Sequence, residues 1–340
     1  MSSSTRSRPD PRAVRLAAAV LVLCPALPAG PTAVPLADAT VLPVVDSRVC
    51  VVVDVERGST QPVPPDAVSV SVGGVRQPVA VVPVMSDGLT VGIVVDASKA
   101  GAAGTGPWQS GAARFVLEAP AGARTAVVAD TTPPAVLATL QPGPTDPVRA
   151  LSAVQPHGTR DTSAALALAV RQLPADRTAP RVVILYTGAP DAGGEASGAL
   201  AARLAAEHVL LVVVSTATDS GYWSGVTRPT GGFLAPAVTS AVTPALDQVA
   251  TSLRARYLVS FPAPARLPVD ASVRVDLKDV TMSADVVVPR ATATGTSGAR
   301  DPASRHPWVP VAVLATAIVV ATVLLVGAAL RLVGAMVRRT

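Results

Sequence analysis

Leu89-Thr90-Val91-Gly92-Ile93-Val94-Val95-Asp96-Ala97-Ser98-Lys99-Ala100 is the stretch on which the fold turns. An apolar, β-branched run ends abruptly in an acid, a small residue and a hydroxyl. A continuous hydrophobic run marks a parallel strand buried on both faces, and the carboxyl ends of such strands are where open α/β sheets bind ligands. Asp96 and Ser98 therefore fall at a crevice. They serve there either as hard oxygen donors for a divalent cation or as caps of the helix that follows.

The same grammar continues outward. Strands are expected at 89–95, 123–129, 134–140, 181–187 and 209–215, with helices around 107–118, from Thr162, near 195–206 and from Pro244. Strands alternating with helices imply a doubly wound, mainly parallel α/β sheet over 89–255. Thr131-Thr132-Pro133-Pro134 is too short for a crossover, so the strand after it must run antiparallel, as an edge. Leu166, Ala169, Val170 and Leu173 fall on one helical stripe. The flanks read differently. Ala67-Val68-Ser69-Val70-Ser71-Val72 alternates strictly, Gly73-Gly74 offers a tight turn, and Val79-Ala80-Val81-Val82 returns as the second arm of a hairpin. Ser272 to Lys278 alternates as cleanly, and Asp285 to Val288 follows. Residues 40–88 and 256–290 are thus expected to form a β-rich flanking subdomain.

Both ends carry the marks of targeting. Arg6, Arg8, Arg12 and Arg15 precede the apolar run Leu16 to Cys24, which Pro25 and Pro28 interrupt, as in a secretory signal peptide. Residues 1–39 are assigned to it, with cleavage after Ala29 or after Ala39. Removal of Cys24 with that peptide leaves Cys50 without an intrachain partner. Residues 291–308, rich in Ala, Thr, Ser and Gly, read as a flexible stalk. Val309 to Leu330 holds no charge and is long enough to cross a bilayer as one C-terminal transmembrane helix. Arg331, Arg338 and Arg339 place the 331–340 tail in the cytoplasm and the main domain outside.

Composition narrows the function. The chain has 340 residues, a mean hydropathy of +0.46 and only 3% aromatics, so Val, Ala and Leu must build its core. The formal charge of +5 comes from arginines that are scattered or terminal, and Lys99 and Lys278 are the only lysines. No basic face interleaved with aromatics is present, which argues against nucleic acid as a partner.

Asp96-Ala97-Ser98-Lys99-Ala100 resembles the DxSxS motif that opens the metal-ion-dependent adhesion site of von Willebrand factor type A domains. That family brings a threonine from a later loop, matched by Thr159 in Gly158-Thr159-Arg160-Asp161-Thr162. It ends its fourth strand in an aspartate, and Val182 to Gly188 aligns with that strand. Gly231-Gly232-Phe233 and Arg256 to Phe261 are similar to the closing segment of bacterial members with β-rich flanks. The resemblance implies a metal site built from Asp96, Ser98 and Thr159. Two departures deplete it, because Ala100 replaces the second serine and Gly188 stands where the aspartate belongs. One carboxylate and two hydroxyls remain, so either no cofactor or weakly held Mg²⁺ is expected, with Asp161 or Asp191 as candidate substitutes. Lys99 adds a positive charge that opposes a cation unless it points away.

Catalytic signals are thin. There is no Gly-x-Ser-x-Gly elbow, phosphate loop or dinucleotide fingerprint, and His157, His208 and His306 lack ligand spacing. The expectation is a membrane-anchored, extracytoplasmic binding or adhesion domain rather than an enzyme. Its partner would be another protein or an envelope component. Lys99, Tyr222 and Trp223 are the candidate contacts, Lys99 favouring an acidic group at the helix start after Asp96. The aromatic pair either meets the partner or covers the sheet edge. The competing roles are an envelope-assembly scaffold acting through its membrane helix and a hydrolase using Asp96 or Ser98.

Overall fold

Thr90 to Asp96 lies wholly buried, because the side chains of a strand alternate between two faces and both faces here are covered. A computed structural model of the chain describes residues 33–55, 62–218, 221–237, 242–278 and 280–290. The described residues open with β1 (Ala33–Pro35), β2 (Asp38–Val45), β3 (Arg48–Asp54), β4 (Val68–Val72), β5 (Val75–Gln77) and β6 (Ala80–Pro83). The α/β segment then runs β7 (Thr90–Asp96), α1 (Thr105–Glu118), β8 (Arg124–Asp130), β9 (Ala135–Pro142), α2 (Thr145–Ser152) and α3 (Thr162–Gln172). It continues through β10 (Arg181–Thr187), α4 (Ser197–Ala206), β11 (Leu210–Ser215), α5 (Gly221–Thr227), β12 (Phe233–Pro236) and α6 (Val242–Arg254). The closing strands are β13 (Arg256–Pro262), β14 (Val269–Asp276) and β15 (Thr281–Val288).

The central sheet has the order β12-β11-β10-β7-β8-β9. All its pairs are parallel except β8 with β9, which are antiparallel and place β9 at an edge. Numbered within the sheet this is the doubly wound order 3-2-1-4-5-6, whose reversal point lies between β7 and β10. One face packs Val91, Ile93, Val95, Ile184 and Val212 against Trp108, Ala112 and Phe115 of α1 and Val249 and Leu253 of α6. The other packs Val94, Val128, Val183, Leu185 and Val213 against α3, α4 and α5. Leu166, Ala169 and Leu173 of the predicted stripe are buried there. Gly92 lets α3 come close, since a Cβ at that position would stand 3.3 Å from the Ala169 methyl. Each large aliphatic side chain so buried contributes about 2 kcal/mol, which makes the sheet the dominant source of stability.

The flanks form two more sheets, β1-β15-β14-β4-β5 and β2-β3-β13-β6. They close on one another through Val49, Val51, Val53, Val70, Val259, Phe261, Val273 and Val275. The second of these sheets is covered on both sides. Alternate residues Cys50, Val52 and Leu258 point into the core shared with the central sheet. That double burial is why Val49-Cys50-Val51-Val52-Val53 is continuously apolar instead of alternating.

Three expectations need correcting. The hairpin closed by Gly73-Gly74 pairs β4 with β5, whereas Ala80–Pro83 crosses to the other sheet and pairs with β13. Both glycines have positive φ, +55° and +80°, so the turn closes within two residues and Val75 pairs back at once with Val72. The flank also begins before residue 40, since β1 and the start of β2 lie within the stretch assigned to a leader. Finally, Ala135–Pro142 is followed by a helix, α2, that the sequence pattern did not announce. The stalk (291–308), the span at 309–330 and the 331–340 tail lie outside the described residues. Among the described residues no helix is long and apolar enough to cross a membrane.

Candidate functional site

Two apolar strands end side by side in an acid. Asp96 of β7 and Asp130 of β8 are register partners, and neither exposes any surface. Buried carboxylates must be satisfied by hydrogen bonds or by charge, and the chain supplies both. Ser98 donates to Asp96 Oδ1 twice, from its backbone N–H at 3.1 Å and from Oγ at 2.6 Å. The same Oγ accepts from Gly101 N–H at 3.2 Å, so Ser98 caps the short helical turn Lys99–Gly101. Gly101 lies against the carboxylate, and a Cβ there would stand 2.5 Å from Asp96 Cγ. One hydroxyl thus serves both as the cap of the turn and as a hydrogen-bond donor to Asp96.

The cation beside Asp96 is an arginine. Arg160 Nη1 lies 3.1 Å from Asp96 Oδ2, with the arginine side chain 31% exposed and the aspartate fully buried. The loop carrying Arg160 is fixed to the strand ends by backbone bonds. His157 N–H donates to Ala97 O at 2.8 Å, and Lys99 N–H donates to Gly158 O at 3.1 Å. Asp161 N–H then donates to Asp130 Oδ1 at 2.9 Å, and Thr162 Oγ1 donates to Asp130 Oδ2 at 2.6 Å. Burial pushes the Asp130 carboxyl up to about 6, reinforced by the Asp96 charge and opposed by the Thr162 and Asp161 bonds and by Arg160.

The remaining candidates fall into place around this pair. Thr159 is exposed and makes no hydrogen bond among the described residues, so it is not joined to Asp96. Lys99 is exposed. Asp161 caps α3 by accepting from Ala164 N–H at 3.1 Å, and Asp191 accepts from Gly193 N–H at 2.8 Å, so each serves its own loop. At Gly188 the neighbours are a hydroxyl and an indole, because a Cβ there would stand 3.3 Å from Thr216 Oγ1 and 3.6 Å from Trp108 Cη2. Trp223, a candidate contact or cover of the sheet edge, is fully buried, with Nε1 donating to Ala189 O at 2.8 Å. Tyr222 is half-buried, edge-on to it at 5.0 Å, and donates to Glu195 O at 2.7 Å. The pair covers the sheet, and a partner cannot reach Trp223. His157 is exposed, His208 is buried with Nε2 2.7 Å from Pro43 O, and His306 lies outside the described residues. Cys50 is a buried free thiol pushed up to about 12 by burial, which leaves it unreactive.

Asp130, Arg160 and Thr162 were not foreseen. Asp130 had a readable signal, since Ala126-Val127-Val128-Ala129-Asp130 repeats the pattern of an apolar run ending in an acid. Two carboxylates and two hydroxyls have the chemistry of a hard-cation site. As arranged, each carboxylate oxygen already receives a donor from the chain and Arg160 stands on Asp96 Oδ2, so the set does not fit a divalent ion. Among the described residues no group of three His, Cys, Asp or Glu side chains could hold a metal.

No family model and no curated protein sequence matches the chain. Solved structures do. An aerotolerance-related membrane protein from Bacteroides fragilis matches at 11% identity and a TM-score of 0.43, over 48% of this chain and 98% of that one. A von Willebrand factor type A protein from Catenulispora acidiphila matches at 10% identity and a TM-score of 0.43, over 75% and 70% of the two chains. The von Willebrand factor domain of a type V pilus tip protein from Porphyromonas gingivalis matches at 12% identity and a TM-score of 0.37, over 48% and 94%. The strand order of the central sheet and its antiparallel edge stand on the pairing given above.

Proposed function

We propose that the chain is an extracytoplasmic binding module, held at the membrane by residues 309–330. It engages another protein or an envelope component through the loops at the carboxyl ends of β7 and β8. What supports this reading is the condition of the strand-end polar groups. Asp96, Ser98, Asp130 and Thr162 are buried and satisfied by one another and by the loop at 157–162, which leaves none of them poised as a nucleophile or base. Around them the rim offers Lys99, Thr159 and part of Arg160 to solvent, two of them cations. A rim of this kind selects an acidic group and raises its encounter rate more than it strengthens the complex.

The test places a photo-crosslinking amino acid at Lys99, Thr159, Arg274 or Val287 of the full-length chain in its own membrane. Adducts to one partner are expected from positions 99 and 159 and not from 274 or 287, which lie on the flanking β sheets. Adducts confined to 274 and 287 would move the interface to the flank and overturn the assignment.

A further inference from the structure

We infer that Arg160 is the resident cation of this site: its guanidinium does for Asp96 what a divalent ion would do, so the natural chain holds no metal there and a chain lacking Arg160 does. The contact joins a fully buried carboxylate to a side chain only 31% exposed, at 3.1 Å. A charge pair desolvated on one side is costly to break, because removing the arginine leaves Asp96 buried without a counter-charge. Its place is also fixed by the backbone. Loop 157–162 is tied to the end of β7 through Ala97 and Lys99 and to the end of β8 through Asp130, so Arg160 is carried to Asp96 by the fold. Among the described residues no other cation pairs with Asp96, and Lys99, one turn away in sequence, is exposed.

A guanidinium and a metal ion cannot share the position. Mg²⁺ requires near-octahedral oxygens at about 2.0–2.1 Å, and a planar guanidinium directed at Asp96 Oδ2 removes both the space and one of the oxygens. With Arg160 shortened, two buried carboxylates on neighbouring strands, the Ser98 hydroxyl and the Thr162 hydroxyl are left without any cation. That is the hard-oxygen set a small divalent ion takes, with water completing its shell.

The test uses full-length protein in detergent and Mn²⁺ as the probe, read by electron paramagnetic resonance and by thermal melts in Mg²⁺ and in EDTA. The natural chain should bind no stoichiometric Mn²⁺ and melt at the same temperature in both buffers. Arg160→Ser should melt lower in EDTA, recover in millimolar Mg²⁺, and bind one Mn²⁺ per chain. Its affinity should be at least tenfold above any residual binding by the natural chain, and should vanish when Asp96→Asn is added. Only an ion binding the folded form moves the midpoint in this way. Arg160→Lys, which keeps a point charge, should remain indifferent to the ion. Stoichiometric Mn²⁺ on the natural chain, lost on Asp96→Asn, would overturn the inference even if Arg160→Ser fails to fold. A folded Arg160→Ser chain that binds no ion would equally overturn it and reduce Arg160 to an ordinary ion pair.

Discussion

Asp130 has no exposed surface, and its ionised form rests on the Asp161 N–H and the Thr162 hydroxyl beside another carboxylate. Its folded-state pKa of about 6 lies above the ordinary 3.8, so ionisation favours the unfolded chain. The penalty is absent below about pH 4, grows between there and pH 6, and is complete above. Lowering the pH from 7 toward 4.5 should therefore recover most of about 3 kcal/mol from this group. His208, held below its ordinary value by burial, acts in the opposite sense and loses stability as the pH falls. The comparison that isolates Asp130 is with Asp130→Asn, whose stability should fall more, or rise less, between pH 7 and 4.5 than that of the natural chain. Parallel denaturation curves for the two proteins across that range would show that Asp130 is not raised. At this scale the sequence disclosed what sits at the end of a strand and concealed what reaches across. Asp96 and Ser98 follow from an apolar run that stops, and Asp130 obeys the same rule. Arg160 is visible only once the loop is folded, because a guanidinium at the end of a long side chain carries no positional signal in the sequence.

Between elements, legibility depended on period and on turns. The buried strands β7, β10 and β11 were readable because continuous Val and Leu runs have one structural meaning when helices alternate with them. The flanking strands were harder. Ala80–Pro83 follows Val75–Gln77 so closely that a single hairpin was the simpler reading, yet it belongs to the other sheet. β2 and β3 are joined by Asp46-Ser47, a two-residue turn with φ of +50° and +56° and no glycine to announce it. Two successive positive φ values suit the primed hairpin turns that Asn-Gly or Asp-Gly ordinarily fill. An L-residue other than glycine or asparagine in that region costs roughly 1–2 kcal/mol. Ser47→Gly should consequently raise stability by about 1 kcal/mol, offset in part by the greater freedom of the unfolded chain. Urea denaturation at constant m-value checks it, and a loss of stability on that substitution would mean that the turn is not of this type.

At the scale of the whole molecule, the α/β sheet is an insertion into a β sandwich, and neither half of the sandwich is complete alone. β13 sits between β3 and β6, so residues 256–262 close a sheet whose other members all precede residue 84. The first strands are part of the same closure. β1 pairs Ala33, Val34 and Pro35 with Thr281, Met282 and Ser283 of β15, and Leu36 N–H donates to Ser283 O at 3.0 Å while its side chain enters the sandwich core. Asp38 and Ala39 then pair with Asp54 and Val53. Of the two cleavage positions open in the sequence, a cut after Ala39 would remove β1, the buried Leu36 and the start of β2. It would also bare the edge of β15 to pairing with other chains. A cut after Ala29 spares all of them. If the leader expected from the sequence is removed, the mature chain should accordingly begin at Gly30, as read by mass spectrometry of its N-terminal peptide. A mature chain starting at Thr40 would require the sandwich to form without its first strand, and would set that strand apart as dispensable to the fold.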